Sequence, residues 1–402
     1  MQLSLEKLNE ILSDANEVSE APNTVNREVV SRLFPLGRDV VNVIQGVRRC
    51  GKSTIMRQMA RQFGLEGTNR CVFVNFEDPR LSEVLDHELL DGIVECKSSG
   101  TEPADVHFFF DEIQNVQNWE KWIHIQLERK KNRQFILTGS NASLLGGKLA
   151  SSLTGRHVTT EVFPLSLPEF KTLLPGKGVD EYLEWGGFPR AIQYPDPAVF
   201  LREYFTDIIH RDVRTKVAAR SEKPIVQVAK ALFESAGSEL SFRKLAAAFD
   251  ISTEAVKHYV EACQDAYLVL SCPFFSFSER QRAARPSKYY PIDLGLRKSV
   301  VTRTGFDLGK KFETAVFLSL RKDFREVFYW RGRGEVDFVV ETSNGWLPIQ
   351  VTTETPQKRH AAALDEFKAA HPYAMPGITV SFLDGTEILV SAKKYIDSSG
   401  LT

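Results

Sequence analysis

Gly46-Val47-Arg48-Arg49-Cys50-Gly51-Lys52-Ser53 matches G-x-x-x-x-G-K-[ST] at every position, and Thr54 follows it. These residue types at this spacing suit a polyphosphate. Glycines let the backbone bend closely enough to aim N–H groups, and the first turn of the following helix, at phosphate oxygens. Lys52 offers a compact charge to the β- and γ-phosphates, the Ser53 hydroxyl is a ligand for Mg²⁺, and Thr54 falls near the α-phosphate. Downstream, Phe108-Phe109-Phe110-Asp111-Glu112 is an apolar run ending in two acids. Asp111 is placed to hold Mg²⁺ through water, and Glu112 to polarise an attacking water. Thr138, Ser140 and Asn141 end the next apolar run, where a polar side chain can sense a γ-phosphate. Arg156 stands just before another such run, placed to reach a neighbouring subunit's γ-phosphate as an arginine finger. Arg190, after Gly186-Gly187-Phe188-Pro189, and Arg211 are further basic candidates. Together these residues imply ATP and Mg²⁺ as ligands and hydrolysis as the reaction.

The elements that must position them follow from hydrophobic periodicity. Residues 1–38 read as two helices with a break around Ala21-Pro22-Asn23. From Asp39 an apolar run leads into the phosphate loop, and Ile55, Met59 and Phe63 then recur at helical spacing. Strand-like runs at 71–77, 106–112 and 134–140 alternate with helical stretches, and 158–165 supplies one more strand. That alternation predicts an α/β fold whose parallel sheet, a P-loop core over 39–165, is covered on both faces. Residues 166–222 read as a helical lid. Over 223–305 three helical stretches and an extended basic segment, Phe275 to Tyr290, predict a winged-helix unit. The basic residues Arg243, Lys244, Lys257, Arg280, Arg282, Arg285 and Lys288 would face DNA phosphates there. Glu254 and Glu261 on the would-be recognition helix argue against base reading and for a sequence-independent or structure-selective mode. Residues 306–402 begin with a helix, followed by three strand-like runs, another helix and two further short strands.

Composition excludes several classes. The chain has 402 residues, 43% hydrophobic and 26% charged, with 51 Lys+Arg against 52 Asp+Glu, so any nucleic-acid surface must be a local patch. The five cysteines form no C-x-x-C pair, which argues against a disulfide framework or a structural zinc. No apolar stretch approaches the roughly 20 residues of a membrane span, and the acidic amphipathic N-terminus is no signal peptide. The expected setting is cytoplasmic, without membrane partners.

The blocks around the loop, Val74–Leu81, Phe108–Glu120, Phe135–Leu145, Ser152–Phe170 and Gly186–Ala191, resemble in order the prokaryotic AAA-type ATPases with an extra C-terminal domain. The resemblance implies an AAA+ core with a helical lid and nucleotide at a subunit interface, with Arg156 as the finger. A homo-oligomer, taken as a hexameric ring, follows from it. The C-terminal part resembles the restriction-endonuclease-like α/β fold, with Glu313 on its first helix, Asp337 on a strand, and Ile349-Gln350-Val351-Thr352 where that fold carries Glu-x-Lys. Gln350 is a neutral ligand and Thr352 no substitute for an ammonium, which argues against an active nuclease and for a retained scaffold. Three functions follow: an ATP-driven motor that remodels DNA, including branched forms such as junctions; a nucleotide switch acting on a protein partner; and an ATP-dependent nuclease.

Overall fold

A computed structural model describes residues 4–17, 24–33, 39–65, 68, 70–98, 106–129, 133–140, 153, 155–217, 221–302 and 308–399. The chain divides into two compact units, Met1–Val162 and Phe163–Thr402.

The first unit is built on a parallel sheet of β1 (Val41–Gly46), β2 (Cys71–Asn75), β3 (Val106–Asp111), β4 (Arg133–Gly139) and β5 (His157–Val162), in the order β2-β3-β4-β1-β5. Helices α1 (Leu5–Glu17), α2 (Lys52–Gln62), α3 (His87–Ser98) and α4 (Trp119–Glu128) pack around it. Every residue of β1 is buried, as an interior parallel strand covered on both faces requires. The phenylalanine run of β3 shows how both faces are served. Phe108 stacks on Phe135 with centroids 5.4 Å apart and Phe110 lies 6.4 Å from Trp122 of α4, while Phe109 stacks on Phe73 at 4.6 Å. α1 closes one side of this core through Leu8, Ile11 and Leu12 at helical spacing, each burial contributing about 1.5–3 kcal/mol.

The expected second N-terminal helix is instead a single 3-10 turn, Glu28–Arg32. Its flanks are held extended by α2: Gln58 accepts from the Arg27 N–H at 3.0 Å and donates to the Val25 carbonyl at 2.9 Å. Those bonds take backbone groups that a helix would need for itself.

In the second unit, helices Leu167–Leu173, Val179–Trp185 and Pro197–Ile208 run into a π-helical turn, Ile209–Val213. Gly186, at φ 72°, brings the chain against Asp293, and a Cβ there would lie 2.1 Å from Asp293 Oδ1. The Asp293 carboxylate accepts from Gly187 N at 2.6 Å and Leu296 N at 2.8 Å. The Gly-Gly turn thus serves a backbone anchor within this unit. Helices Lys223–Glu234, Phe242–Phe249 and Thr253–Asp265 precede an antiparallel pair, β6 (Val269–Cys272) and β7 (Lys288–Pro291). The segment expected to be wholly extended between them contains a helix, Glu279–Ala284, capped by Ser278.

The chain ends on a four-stranded sheet, β8 (Phe328–Arg331), β9 (Glu335–Thr342), β10 (Gly345–Thr352) and β11 (Ile378–Ser381), ordered β11-β10-β9-β8. β10 and β11 are parallel and the other pairs antiparallel. Helix Leu308–Asp323 packs against this sheet. The last expected strand is a 3-10 turn, Thr386–Leu389, because Ile388 and Leu389 bury against that helix and Ser319 Oγ donates to the Ile388 carbonyl at 2.6 Å.

Candidate functional site

The strand order decides which loops meet. β4 lies between β3 and β1, and all three are parallel, so the residues that end them share one edge of the sheet. The phosphate loop leaves β1 at Gly46 with no room for a side chain, since a Cβ there would stand 2.1 Å from the Val162 carbonyl oxygen. Gly51 caps α2 at φ 99° and Arg49 is also left-handed at φ 69°, so the loop curls back over the first turn of α2. Gly46→Ala is therefore expected to destabilise the first unit by about 2–4 kcal/mol, measured by urea unfolding. Unchanged stability would mean that β5 can give way.

Ser53 Oγ donates to Asp111 Oδ2 at 2.5 Å, which brings the loop hydroxyl and the strand-end carboxylate together. Thr138, fully buried, donates to Asp111 Oδ1 and accepts the Glu112 N–H at 3.0 Å. One hydroxyl therefore fixes both acids, and Thr138 positions them from within the sheet. Glu112 stands in the left-handed region at φ 55°, a strained backbone for a side chain with a Cβ. Its carboxylate accepts from Gln114 and Ser140, and lies 3.7 Å from Lys52 Nζ. Lys52 also donates to the carbonyls of Gly46 at 3.1 Å and Val47 at 3.3 Å.

The charges are matched in this enclosed space. Burial pushes Glu112 up, but Lys52, Gln114 and Arg48 outweigh it and hold the carboxyl below its usual range. Burial presses Lys52 down, and Glu112 with Asp111 more than reverses it. Asp111 moves the other way, raised by burial and by Glu112 against the hydrogen bonds from Ser53 and Thr138. A cation on Asp111 would relieve that strain. The donor set fits a magnesium triphosphate: a hydroxyl paired with a carboxylate, a lysine, and backbone N–H groups at a helix start.

The other sequence candidates fall as follows. Val47 and Cys50 are fully buried supports of the loop, with Cys50 Sγ on the Val162 carbonyl at 3.6 Å. Arg48 bonds Glu77 at 2.8 Å, and Thr54 is half-buried on α2. Asn141 lies outside the described residues. Arg156 precedes β5, whose first residue pairs with the first of β1, so it lies at the opposite end of the sheet from the phosphate loop. Six residues of strand separate the two ends, roughly 20 Å, beyond the reach of its side chain to its own loop. Arg190 is exposed and belongs to the second unit.

Sequence reasoning missed Arg27. Its guanidinium donates to the Cys50 carbonyl at 2.8 Å from a segment with no local motif. It also misplaced part of the basic segment. Lys288 is 1% exposed, and Arg282 bonds the Ser276 carbonyl at 2.9 Å and Glu279 at 2.9 Å, so neither is presented as an open phosphate contact. Phe275 is buried, whereas Phe277 is exposed.

Three family models match in succession: an AAA domain over residues 38–171, a domain of unknown function (DUF8612) over 176–307, and a domain of unknown function (DUF4143) over 308–393. The sheet with its loop after β1 is the P-loop core of that AAA domain. An uncharacterized protein of Methanocaldococcus jannaschii is 30% identical over 391 residues, 89% of this chain and 84% of that protein. An uncharacterized protein of Haemophilus influenzae is 27% identical over 341 residues, 80% of this chain and 84% of that one. A solved structure of the Aeropyrum pernix ORC1 protein in complex with DNA is similar at TM-score 0.31 and 11% identity, over 74% of this chain and 90% of that one. A score that low carries no inference.

Proposed function

Because the chain belongs to the family of the Methanocaldococcus jannaschii protein and carries an AAA domain ahead of two further domains, we propose that it is a Mg²⁺-dependent ATPase working as an oligomer on DNA. The observation that carries the ATPase reading is the Ser53–Asp111 contact at 2.5 Å with the Lys52–Glu112 pair buried beside it. Ser53 and Asp111 would hold Mg²⁺, which would draw charge from the phosphate oxygens. Lys52 exchanges the carbonyls of Gly46 and Val47 for phosphate oxygens. Glu112, kept ionised by Lys52 and Gln114, orients a water and accepts its proton as the terminal phosphoryl group departs. Thr138, through the Glu112 N–H, and Ser140, at its carboxylate, keep Glu112 aimed.

Arg156 acts on a neighbouring subunit's nucleotide, in a hexameric ring. Arg156→Ala is expected to leave nucleotide binding intact and lower turnover by about 10²–10³-fold. Adding Lys52→Ala subunits, which keep Arg156, should restore part of the rate in a turnover assay. No restoration would remove the trans role.

On the DNA side, Arg243, Lys244, Lys257, Arg280 and Arg285 are exposed on the helices after residue 222 and in the segment joining β6 to β7. Their charges suit backbone contacts, with branched duplexes such as junctions as the proposed substrate. A protein-partner switch is the second reading, and the burial of Lys288 and internal bonding of Arg282 favour it. ATP turnover measured with single-stranded, duplex and four-way DNA at two salt concentrations separates them. Salt-sensitive stimulation by one form supports the DNA reading. Equal turnover on every form, with no binding, transfers the function to a protein partner.

A further inference from the structure

The segment ahead of β1 reaches the phosphate loop through one side chain. Gln58 of α2 holds its backbone at the Arg27 N–H and the Val25 carbonyl, and Gln62, one turn further on, donates to the Leu33 carbonyl at 3.2 Å. Residues 24–33 are thus fastened to the helix that Lys52 begins. From there Arg27, itself buried, sends its guanidinium to the Cys50 carbonyl at 2.8 Å. An ionised donor makes this one of the stronger kinds of hydrogen bond. Cys50 is held at two further points: its N–H donates to the Val47 carbonyl at 3.3 Å, and its Sγ meets the Val162 carbonyl at 3.6 Å. A strand end, the loop itself and the leading segment therefore all converge on the residue before Gly51.

A planar trans peptide points its carbonyl and its N–H in opposite directions. The Cys50 carbonyl and the Gly51 N–H belong to one such unit, so whatever holds the first also aims the second. Gly51, at φ 99°, has no Cβ to oppose a turn of that unit, and residues 50 and 51 by themselves do not choose which way it faces. We propose that Arg27 makes the choice: by holding the Cys50 carbonyl, it is a positioning residue that aims the Gly51 N–H at the phosphates of a bound nucleotide. This rests on the polyphosphate reading of the loop and adds to it a residue 23 positions before Cys50. Loop N–H groups bind phosphate well when they are set beforehand, because turning a peptide during binding costs affinity. Arg27 acts through the peptide and not on phosphate itself. Its effect therefore falls on how tightly nucleotide is held, in the ground state and during hydrolysis alike.

The test measures Kd for a fluorescent ATP analogue, with kcat and KM for ATP, on the full chain. Arg27→Met keeps a long apolar stem and the backbone bond to Gln58 but removes the donor. Kd and KM are expected to rise about tenfold, with kcat within about threefold of wild type. Arg27→Lys, which returns one charged donor, should recover part of that loss, and no recovery would overturn the proposal. So would an unchanged Kd in Arg27→Met, or a fall in kcat with KM unchanged. That last pattern is what partial unfolding produces, since it removes active molecules without altering those that remain. If Arg27→Met does not fold, Gln58→Ala frees the segment and leaves the guanidinium intact. Its Kd should rise about threefold or more, and no rise would overturn the role of Arg27. Wild type that binds no ATP would remove the phosphate-loop reading together with this one. Wild type that binds ATP, with the variants equal to it, would remove the role of Arg27 alone.

Discussion

Lys52→Ala is expected to abolish measurable ATP turnover, with a loss of about 10³-fold or more, and to weaken nucleotide binding. Lys52 is one of few groups able to bring positive charge into this cleft from within the loop itself, and its Nζ already sits 3.1 Å from Gly46 O and 3.7 Å from Glu112. Removing it has two effects. The phosphates lose a charge-assisted donor, and Glu112, only 8% exposed, is left without its nearest cation. The Glu112 carboxyl must then rise, since burial is the largest influence on it and Lys52 the first to oppose that. Proton acceptance from water, as proposed for Glu112, should then fail together with phosphate binding. Steady-state hydrolysis and binding of a fluorescent ATP analogue check both parts. Turnover within tenfold of wild type would show that the chemistry lies elsewhere.

Glu112→Gln separates those two effects. Turnover is expected to fall by about 10²–10⁴-fold, because an amide cannot accept the proton of the attacking water. Binding should hold or tighten, since the Lys52 ammonium is released from its 3.7 Å pairing and a negative charge beside the triphosphate is removed. Asp111 should also ionise more readily, as Glu112 is one of the causes that raise it. The fold should survive: the Glu112 backbone keeps its bond to Thr138 at 3.0 Å, and glutamine retains an acceptor for Gln114. Single-turnover hydrolysis alongside equilibrium binding gives the split. A parallel fall in binding and rate would recast Glu112 as a structural partner of Lys52. Undiminished turnover would make another group the base.

Much of the first unit was legible because its signals are local. The eight residues from Gly46 to Ser53 carry loop, lysine and hydroxyl together, and a buried parallel strand announces itself by an unbroken apolar run, as at Phe108–Phe110. Misreadings arose where a backbone or side chain answers to a distant partner. Residues 28–32 have helical composition, but Gln58 holds the flanking backbone at Val25 and Arg27 in extended form. The chain is expected to close on two short strands, but burial of Ile388 and Leu389 against the helix that carries Ser319 shapes a 3-10 turn instead of the second.

By itself the sequence determined the place of the loop between a strand and a helix, the paired acids at a strand end and the alternation that makes a covered parallel sheet, because each depends on neighbours within one element. Tertiary structure alone decided that Thr138 clamps Asp111 and Glu112, since that follows from β4 lying beside β3. It alone sent Arg27 to the Cys50 carbonyl, and turned Lys288 from an expected DNA contact into a cation buried among carboxylates. Hydrophobic periodicity tells which face of an element leaves water but not what meets it there. The partner of Lys288 is 47 residues away, across strand pairings that no local pattern encodes.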